Sequence, residues 1–212
     1  MIRMKTIFLH GLGQTAAVWK PTLQVMTSHT DCLCPNLPDW LMNQTPSYET
    51  LYSSLEKYAL QYDEPLNLCG LSLGGILALN FAIDHPNTVH SLSLIGTQYS
   101  MPKHLLQLQN LIFHLIPASK FQEMGFQKTA FICLCKSMID LDFTNHLHKI
   151  TCPVLLLCGA RDKANKPAAL QLKEQLPTAK LSIIRNAGHE VNIDAPAELG
   201  HIINDFLTSF NT

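Results

Sequence analysis

One short stretch, residues 66–75 (LNLCGLSLGG), restricts the possible folds of this chain more than any other. Its first four residues are mostly apolar, and a strongly apolar helical stretch follows at residues 76–83. The pattern predicts a strand, a tight turn and a buried helix, with Ser72 at the tip of the turn. Glycines at positions 70 and 74 let neighbouring backbone approach closely, because they carry no Cβ atom. A serine held in this way presents its hydroxyl above a sheet, beside the free N–H groups that begin a helix.

The spacing G-x-S-x-G is the nucleophile elbow pattern. Glycine makes up about 7% of ordinary sequence, so roughly one chain in fifteen of this length would contain the spacing by accident. A strand before the serine and a helix after it reduce that chance sharply. Before Ser72 can be interpreted as a nucleophile, the chain must also supply a base, an acid and oxyanion donors.

Apolar runs alternate with amphipathic stretches along the chain. We expect strands at residues 6–9, 31–34, 66–69, 89–96, 154–158 and 181–184, and helices at residues 47–62, 76–83, 166–176 and after an N-cap at Asp194. The continuous apolar run at 154–158 is typical of a parallel strand that is covered on both faces. The alternation predicts an α/β fold, a mostly parallel sheet of about six strands with helices on both faces.

Residues 97–150 interrupt this alternation. The segment has no convincing strand and carries helical stripes, for example Leu105, Leu108, Ile112 and Leu115. Because it emerges from the carboxyl end of a parallel strand, it should lie over the ligand-binding edge of the sheet. We expect a small helical cap here, inserted between the core segments 1–96 and 151–212. Extra core helices that flank the sheet are the alternative.

The composition favours one globular domain in the cytoplasm. The chain has 212 residues, a formal net charge of −1 and no basic run, so nucleic acid is not an expected partner. No apolar run is long enough to span a membrane, and the first five residues leave no room for a signal peptide. The seven cysteines show no zinc-site spacing, so we expect reduced thiols, no metal and no cofactor. The expected assembly is a monomer or a homodimer.

Three loops at predicted strand ends carry the residues that Ser72 would need. His10-Gly11-Leu12-Gly13 follows the first strand, Asp162 follows the fifth and His189 follows the sixth. Since the carboxyl ends of parallel strands meet at one edge of a sheet, Ser72, Asp162 and His189 can converge there. Their order along the chain, Ser-Asp-His, is the order of the α/β-hydrolase version of the catalytic triad.

With these motifs in order, the chain resembles the α/β-hydrolase superfamily, in particular its small capped esterases and lactonases. The trailing segment Asp194-Ala195-Pro196-Ala197-Glu198 also looks like the last helix of that family. There is one departure. The family usually opens with two further antiparallel strands, and residues 1–5 cannot hold them. We therefore expect a trimmed sheet.

The resemblance and the chemistry together assign a role to each residue. Ser72 is expected to be the nucleophile, His189 the base that takes its proton, and Asp162 the acid that holds the imidazole in one tautomer. The backbone N–H groups of Leu12 and Leu73 would hydrogen-bond the oxyanion of the tetrahedral intermediate.

Other histidines and cysteines have plainer interpretations. By resemblance, His10 would brace the oxyanion loop without transferring protons. Cys69 lies inside a strand and away from the tip of the turn, so a cysteine nucleophile is not expected. The remaining candidate bases are expected to be structural or to lie at helix ends and on the surface: His85, His146, His148 and His201.

Within this superfamily, a serine at the elbow implies acyl transfer to water through an acyl-serine, and excludes the dehalogenases and epoxide hydrolases that need an aspartate there. The apolar cap favours small to medium, largely apolar esters. Ile76 stands where some relatives that handle anionic metabolites carry an arginine. A carboxylesterase is the first prediction, with a lactonase, thioesterase or C–C bond hydrolase as alternatives. A slow-turnover ligand receptor that retains the triad is an alternative of another class.

Overall fold

The computed structural model describes residues 4–27, 31–124 and 126–210. Six strands form one sheet of order β2-β1-β3-β4-β5-β6, and every neighbouring pair is parallel. The strands are β1 (Lys5–Leu9), β2 (Asp31–Leu33), β3 (Leu66–Leu71), β4 (Val89–Ile95), β5 (Val154–Gly159) and β6 (Lys180–Ile184). The predicted parallel sheet of about six strands is confirmed.

Nine α-helices lie within the described ranges, and helices pack on each face of this sheet. They are α1 (Lys20–Leu23), α2 (Tyr48–Ala59), α3 (Leu73–Asp84), α4 (Lys103–Leu115), α5 (Ala118–Glu123), α6 (Lys128–Ser137), α7 (Lys166–Gln175), α8 (Val191–Asp194) and α9 (Pro196–Thr208). None of them combines the length and the apolar character that a membrane crossing needs.

Successive side chains of the strands enter two separate apolar cores, one on each face of the sheet. Ile7 and Leu9 pack with side chains of α2 and α3, whereas Phe8 packs against Trp19 and side chains of α9. Because neighbouring residues of a strand point to opposite faces, a two-sided strand needs a continuous apolar run. This requirement explains why β3 and β5 are buried along their whole length.

Helices α4, α5 and α6 occupy the chain between β4 and β5, where the sequence predicted an inserted segment. Antiparallel backbone hydrogen bonds join the two ends of the segment: Met101 N–H donates to Leu141, and Phe143 N–H donates to Tyr99. Inside it, the rings of Phe113, Phe121 and Phe131 pack edge to face, with centroids 5.0 to 6.1 Å apart. These rings extend the apolar core that lies on the α2 and α3 side of the sheet.

The predicted apolar stripe of α4 is wrong in part. Ile112 is exposed and Leu115 is 83% exposed, while Asn110 is buried and Leu106 and Phe113 are partly buried. Both faces of α4 carry leucine or isoleucine, but only one carries Phe113, and the aromatic contacts of that ring decide which face turns inward. The side chains of the other two stripe residues lie outside the described part of the chain: Leu105 and Leu108.

The last helix packs against the first. A Cβ atom on Gly200 of α9 would stand 2.5 Å from the carbonyl oxygen of Thr22 in α1, so only glycine allows this close approach. The helix begins at Pro196 with Ala195 at its N-cap, and the predicted N-cap residue, Asp194, is therefore wrong. A proline in the first turn has its φ already set for a helix and lacks the N–H that a cap would satisfy.

Candidate active site

Ser72 lies at the turn between β3 and α3, at the carboxyl edge of the sheet. Its φ of 52° and ψ of −114° place it in backbone space that non-glycine residues seldom occupy. Hydrogen bonds hold the turn on both sides. The Ser72 N–H donates to the Ile95 carbonyl at 2.9 Å, and the Ser72 carbonyl accepts from the Ile76 N–H at 2.9 Å. The strained conformation expected for the tip of the elbow is present and is maintained by its surroundings.

The glycines of the elbow are required by packing. A Cβ atom on Gly74 would stand 2.1 Å from the carbonyl oxygen of Leu9, and one on Gly70 would stand 2.2 Å from the carbonyl oxygen of Gly74. The first turn of α3 therefore lies directly against β1. Leu73 is the first residue of α3, so its N–H has no acceptor within the helix and remains available beside Ser72.

The loops after β5 and β6 bring Asp162 and His189 into direct contact. The distance from Asp162 Oδ2 to His189 Nδ1 is 2.7 Å. The aspartate is 5% exposed, whereas the side chain of His189 is 39% exposed. Because Nδ1 faces the carboxylate, the proton of the neutral ring belongs on Nδ1, and Nε2 keeps a free lone pair. The pair thus has the tautomer that a general base needs.

The end of β4 connects Ser72 to this pair. Ile95 accepts the Ser72 N–H, and the next residue, Gly96, has a φ of +54°. A Cβ atom on Gly96 would stand 3.1 Å from His189 Nδ1 and 3.3 Å from Asp162 Oδ2. Among the described residues, no hydrogen bond joins the Ser72 hydroxyl to His189. The three predicted residues thus share one sheet edge, and two of them are in hydrogen-bond contact.

Asn165 is a partner of Asp162 that the sequence interpretation missed. Its Nδ2 atom lies 3.0 Å from both carboxylate oxygens, and its backbone N–H donates to Oδ1 at 3.1 Å. Burial alone would raise the pKa of Asp162, but hydrogen bonds from His189 and Asn165 outweigh it and hold the pKa below its ordinary value. Gln98 donates in turn to Asn165 Oδ1 at 2.9 Å. Asp162 is therefore held as a carboxylate by a chain of donors.

His10 fixes the peptide group that carries the Leu12 N–H. The Leu37 N–H donates to His10 Nε2 at 3.0 Å, so the ring proton is on Nδ1, which donates to the Gly11 carbonyl at 2.8 Å. The same carbonyl accepts the Gln14 N–H at 3.2 Å. Because a trans peptide is planar, orienting the Gly11 carbonyl also orients the Leu12 N–H in the opposite direction. Burial lowers the pKa of His10, although its bond to Gly11 opposes this, so the ring is neutral.

The inserted segment reaches the loop that carries Leu12. Gly13 has a φ of +81°, and a Cβ atom placed on it would stand 2.8 Å from Met124 Sδ. Met124 follows α5 and packs against the apolar core to which the aromatic side chains of the inserted segment belong. At least one residue of the segment therefore lies directly on the loop that carries Leu12.

The other candidate bases and nucleophiles have different surroundings. Cys69 is buried inside β3, where burial raises the pKa of its thiol. His85, at the C-terminal end of α3, contacts Glu56 of α2 at 2.8 Å. Among the residues described, no group of three His, Cys, Asp or Glu side chains is arranged to hold a metal ion. The remaining histidines of this set are exposed: His146, His148 and His201.

The corrected residue Asp194 supports the His189 loop. Its Oδ2 accepts the Gly188 N–H at 2.6 Å and lies 3.6 Å from Arg161 of the Asp162 loop. Asp194 thus orders the residue directly before His189, although sequence spacing suggested only a helix cap.

Comparison with known proteins agrees with this architecture. The sequence model of the alpha/beta hydrolase family matches residues 6–200. The chain belongs to this family. A relative from Bacillus subtilis (strain 168) is 24% identical over 181 residues, which cover 68% of this chain and 66% of that protein. Monoacylglycerol lipase ABHD6 of Bos taurus is 21% identical over 97% of this chain and 76% of its own length.

Solved structures of the family share the fold at low sequence identity. A thermophilic esterase from Thermogutta terrifontis superposes with a TM-score of 0.81, at 19% identity, over 99% of this chain and 91% of that chain. This likeness establishes the α/β-hydrolase fold.

Proposed function

We propose that this protein is a serine hydrolase that cleaves carboxylic esters of small to medium, largely apolar substrates. The observation that carries the proposal is the contact between buried Asp162 and half-exposed His189, at the sheet edge where Ser72 has a positive φ. A positive φ at a serine costs free energy, and such outliers cluster at functional sites. A buried carboxylate with a perturbed pKa beside an imidazole is likewise a candidate functional group. Their combination matches what nucleophilic acyl transfer requires.

In the proposed reaction, Ser72 Oγ attacks the ester carbonyl carbon while His189 Nε2 takes the hydroxyl proton. The carbonyl π electrons move to oxygen, and the oxyanion accepts hydrogen bonds from the N–H groups of Leu12 and Leu73. Collapse of the intermediate breaks the ester C–O bond, and His189 returns the proton to the leaving alcohol. Water then attacks the acyl-serine by the same sequence and releases the acid. Asp162 stabilises the imidazolium throughout.

We further propose that residues 97–150 form a cap over a core built from segments 1–96 and 151–212. Two observations support this division: the backbone hydrogen bonds of Met101 and Phe143, which join the two ends of the segment, and the contact of Met124 with Gly13. Since the segment that touches the oxyanion loop is rich in aromatic and aliphatic side chains, an uncharged substrate is favoured. Ile76 is buried and supplies no positive charge at the start of α3, which agrees with that preference.

The test is labelling with a fluorophosphonate, followed by turnover of p-nitrophenyl esters of increasing chain length. Wild type should label and turn over repeatedly, whereas Ser72→Ala should do neither. Ser53→Ala, at an exposed serine of α2, is the matched control and should behave as wild type. Labelling of Ser72→Ala at the wild-type rate would show that another residue is the nucleophile.

His189→Ala should lower kcat by about three orders of magnitude or more, because the serine then has no base. His201→Ala, at an exposed histidine of α9, is its control. A single stoichiometric burst in wild type, without further turnover, would instead support a ligand receptor that retains the triad.

A further inference from the structure

A pair of buried carboxamides joins the oxyanion loop to the segment after His189. Gln14 follows the turn at Gly13 and is 7% exposed, and Asn192 lies in α8 and is 1% exposed. Asn192 Nδ2 donates to Gln14 Oε1 at 3.1 Å, and Gln14 Nε2 donates to Asn192 Oδ1 at 3.3 Å. The two amides thus form a closed ring of two hydrogen bonds between residues that are 178 positions apart.

The Gln14 side chain uses its full hydrogen-bonding capacity. A primary amide offers two N–H donors and two acceptor lone pairs. The second acceptor position receives the Gly11 N–H at 3.1 Å, and the second donor reaches Glu190 Oε1 at 2.9 Å. All four hydrogen-bonding positions of the Gln14 amide are occupied. Rotation of the amide would therefore leave a buried polar group unpaired.

Each end of this network lies beside a proposed catalytic group. At one end, Gln14 closes the turn from Gly11 with its backbone N–H, and its side chain holds the Gly11 N–H. That turn contains the Leu12 N–H. At the other end, Glu190 is the residue after His189 and the N-cap of α8, and Asn192 lies two residues further along, within that helix. The network is therefore a direct non-covalent connection between the oxyanion loop and the base.

We propose that Gln14 and Asn192 are positioning residues that set the separation between the Leu12 N–H and the His189 imidazole. The inference rests on the proposed function, because a fixed separation matters only if both groups act on one acyl carbon. Acyl transfer needs the base at the attacking oxygen and the donor at the carbonyl oxygen at the same moment. The two loops are far apart in sequence, and the carboxamide ring holds them at a fixed separation.

The test is a double-mutant cycle with Gln14→Leu, Asn192→Leu and the double variant. Leucine approximates the volume of both amides and removes their hydrogen bonds. We expect kcat on p-nitrophenyl butyrate to fall about 10- to 100-fold, as for other displacements of about 1 Å at reacting groups, with KM changed less than about twofold. The double variant should lose about as much as one single variant, since both residues belong to one connection.

Ile193→Ala is the matched control, because Ile193 is an exposed residue of the same helix. Each variant is assayed at a temperature where circular dichroism shows it fully folded. A lower melting temperature with unchanged kcat would assign the pair a purely structural role and overturn the proposal. A rise in KM alone would also overturn it.

Hydrogen–deuterium exchange tests the connection without relying on turnover. In Asn192→Leu, the peptide that covers residues 10–16 should exchange faster than in Ile193→Ala, although the substitution is distant in sequence. Equal exchange in the two variants would overturn the coupling even if wild type is an active esterase. Inactive wild type with faster loop exchange in Asn192→Leu would instead refute the proposed function and support the connection.

Discussion

Replacing Gly96 by alanine should have two effects: backbone strain, which lowers stability, and damage to the contact between Asp162 and His189, which lowers activity. The φ of +54° at Gly96 is left-handed, and an L-residue there costs about 1–2 kcal/mol. For a chain of this size, 1 kcal/mol lowers the melting temperature by about 2–4 °C. We therefore expect Gly96→Ala to lower the melting temperature by roughly 2–8 °C, a range that still allows the protein to fold.

The added methyl group should also displace the base. It would stand 3.1 Å from His189 Nδ1, 3.2 Å from Cε1 and 3.3 Å from Asp162 Oδ2. Such contacts are tighter than nine in ten real Cβ contacts, so the imidazole must move by a few tenths of an ångström. That shift strains a 2.7 Å hydrogen bond and moves Nε2 away from its working position. We expect kcat to fall about tenfold or more.

The assay compares steady-state p-nitrophenyl ester hydrolysis with thermal unfolding. Asn43→Ala is the matched control, because Asn43 has a φ of 61°, is exposed and belongs to the loop before α2. It should lose a similar amount of stability and retain the wild-type kcat. If Gly96→Ala loses stability as Asn43→Ala does but keeps its kcat within twofold, the steric reasoning about His189 is refuted.

Three further changes test other parts of the site. Asn165→Leu removes side-chain donors from a buried carboxylate, and urea unfolding should show a loss of about 1.5–3 kcal/mol, whereas an unchanged midpoint would contradict the role of Asn165. Because burial lowers the pKa of His10 below its ordinary value of 6.5, the unfolded chain gains that proton at a higher pH than the folded chain does. Wild-type melting temperature should therefore drop from pH 7 to pH 5 more steeply than that of His10→Asn, and equal slopes would refute the assignment. Ser72→Gly relieves the positive φ, so calorimetry should find it at least as stable as Ser72→Ala, and a clearly lower stability would contradict strain at the elbow.

The sheet and the convergence of the site were predictable because both depend on local patterns. Continuous apolar runs identify strands that are covered on both faces, and parallel strands place all their carboxyl ends at one edge. Ser72 and Asp162 follow such strands, β3 and β5, whereas His189 follows the partly buried edge strand β6. Their proximity therefore required only the alternation of strands and helices, together with the direction of the sheet.

The supporting contacts were not predictable, because they join residues whose spacing carries no signal. Gln14 and Asn192 are ordinary amides in sequence, and only the folded chain places them together. The sequence predicts Gly96 as the end of a strand. Its contact with His189 depends on how the loop after β6 packs against the end of β4. The inward face of α4 was likewise decided by Phe113 and its ring partners, which hydrophobic periodicity does not reveal.

The close packing of Gly200 on Thr22 has a consequence for biosynthesis. A ribosome releases the chain from its amino end, so the elbow at Ser72 can form long before α9 exists to cover α1. The nascent chain then contains the serine turn without His189, which is translated much later. Under the proposed mechanism, a chain interrupted between these two residues holds the nucleophile without its base.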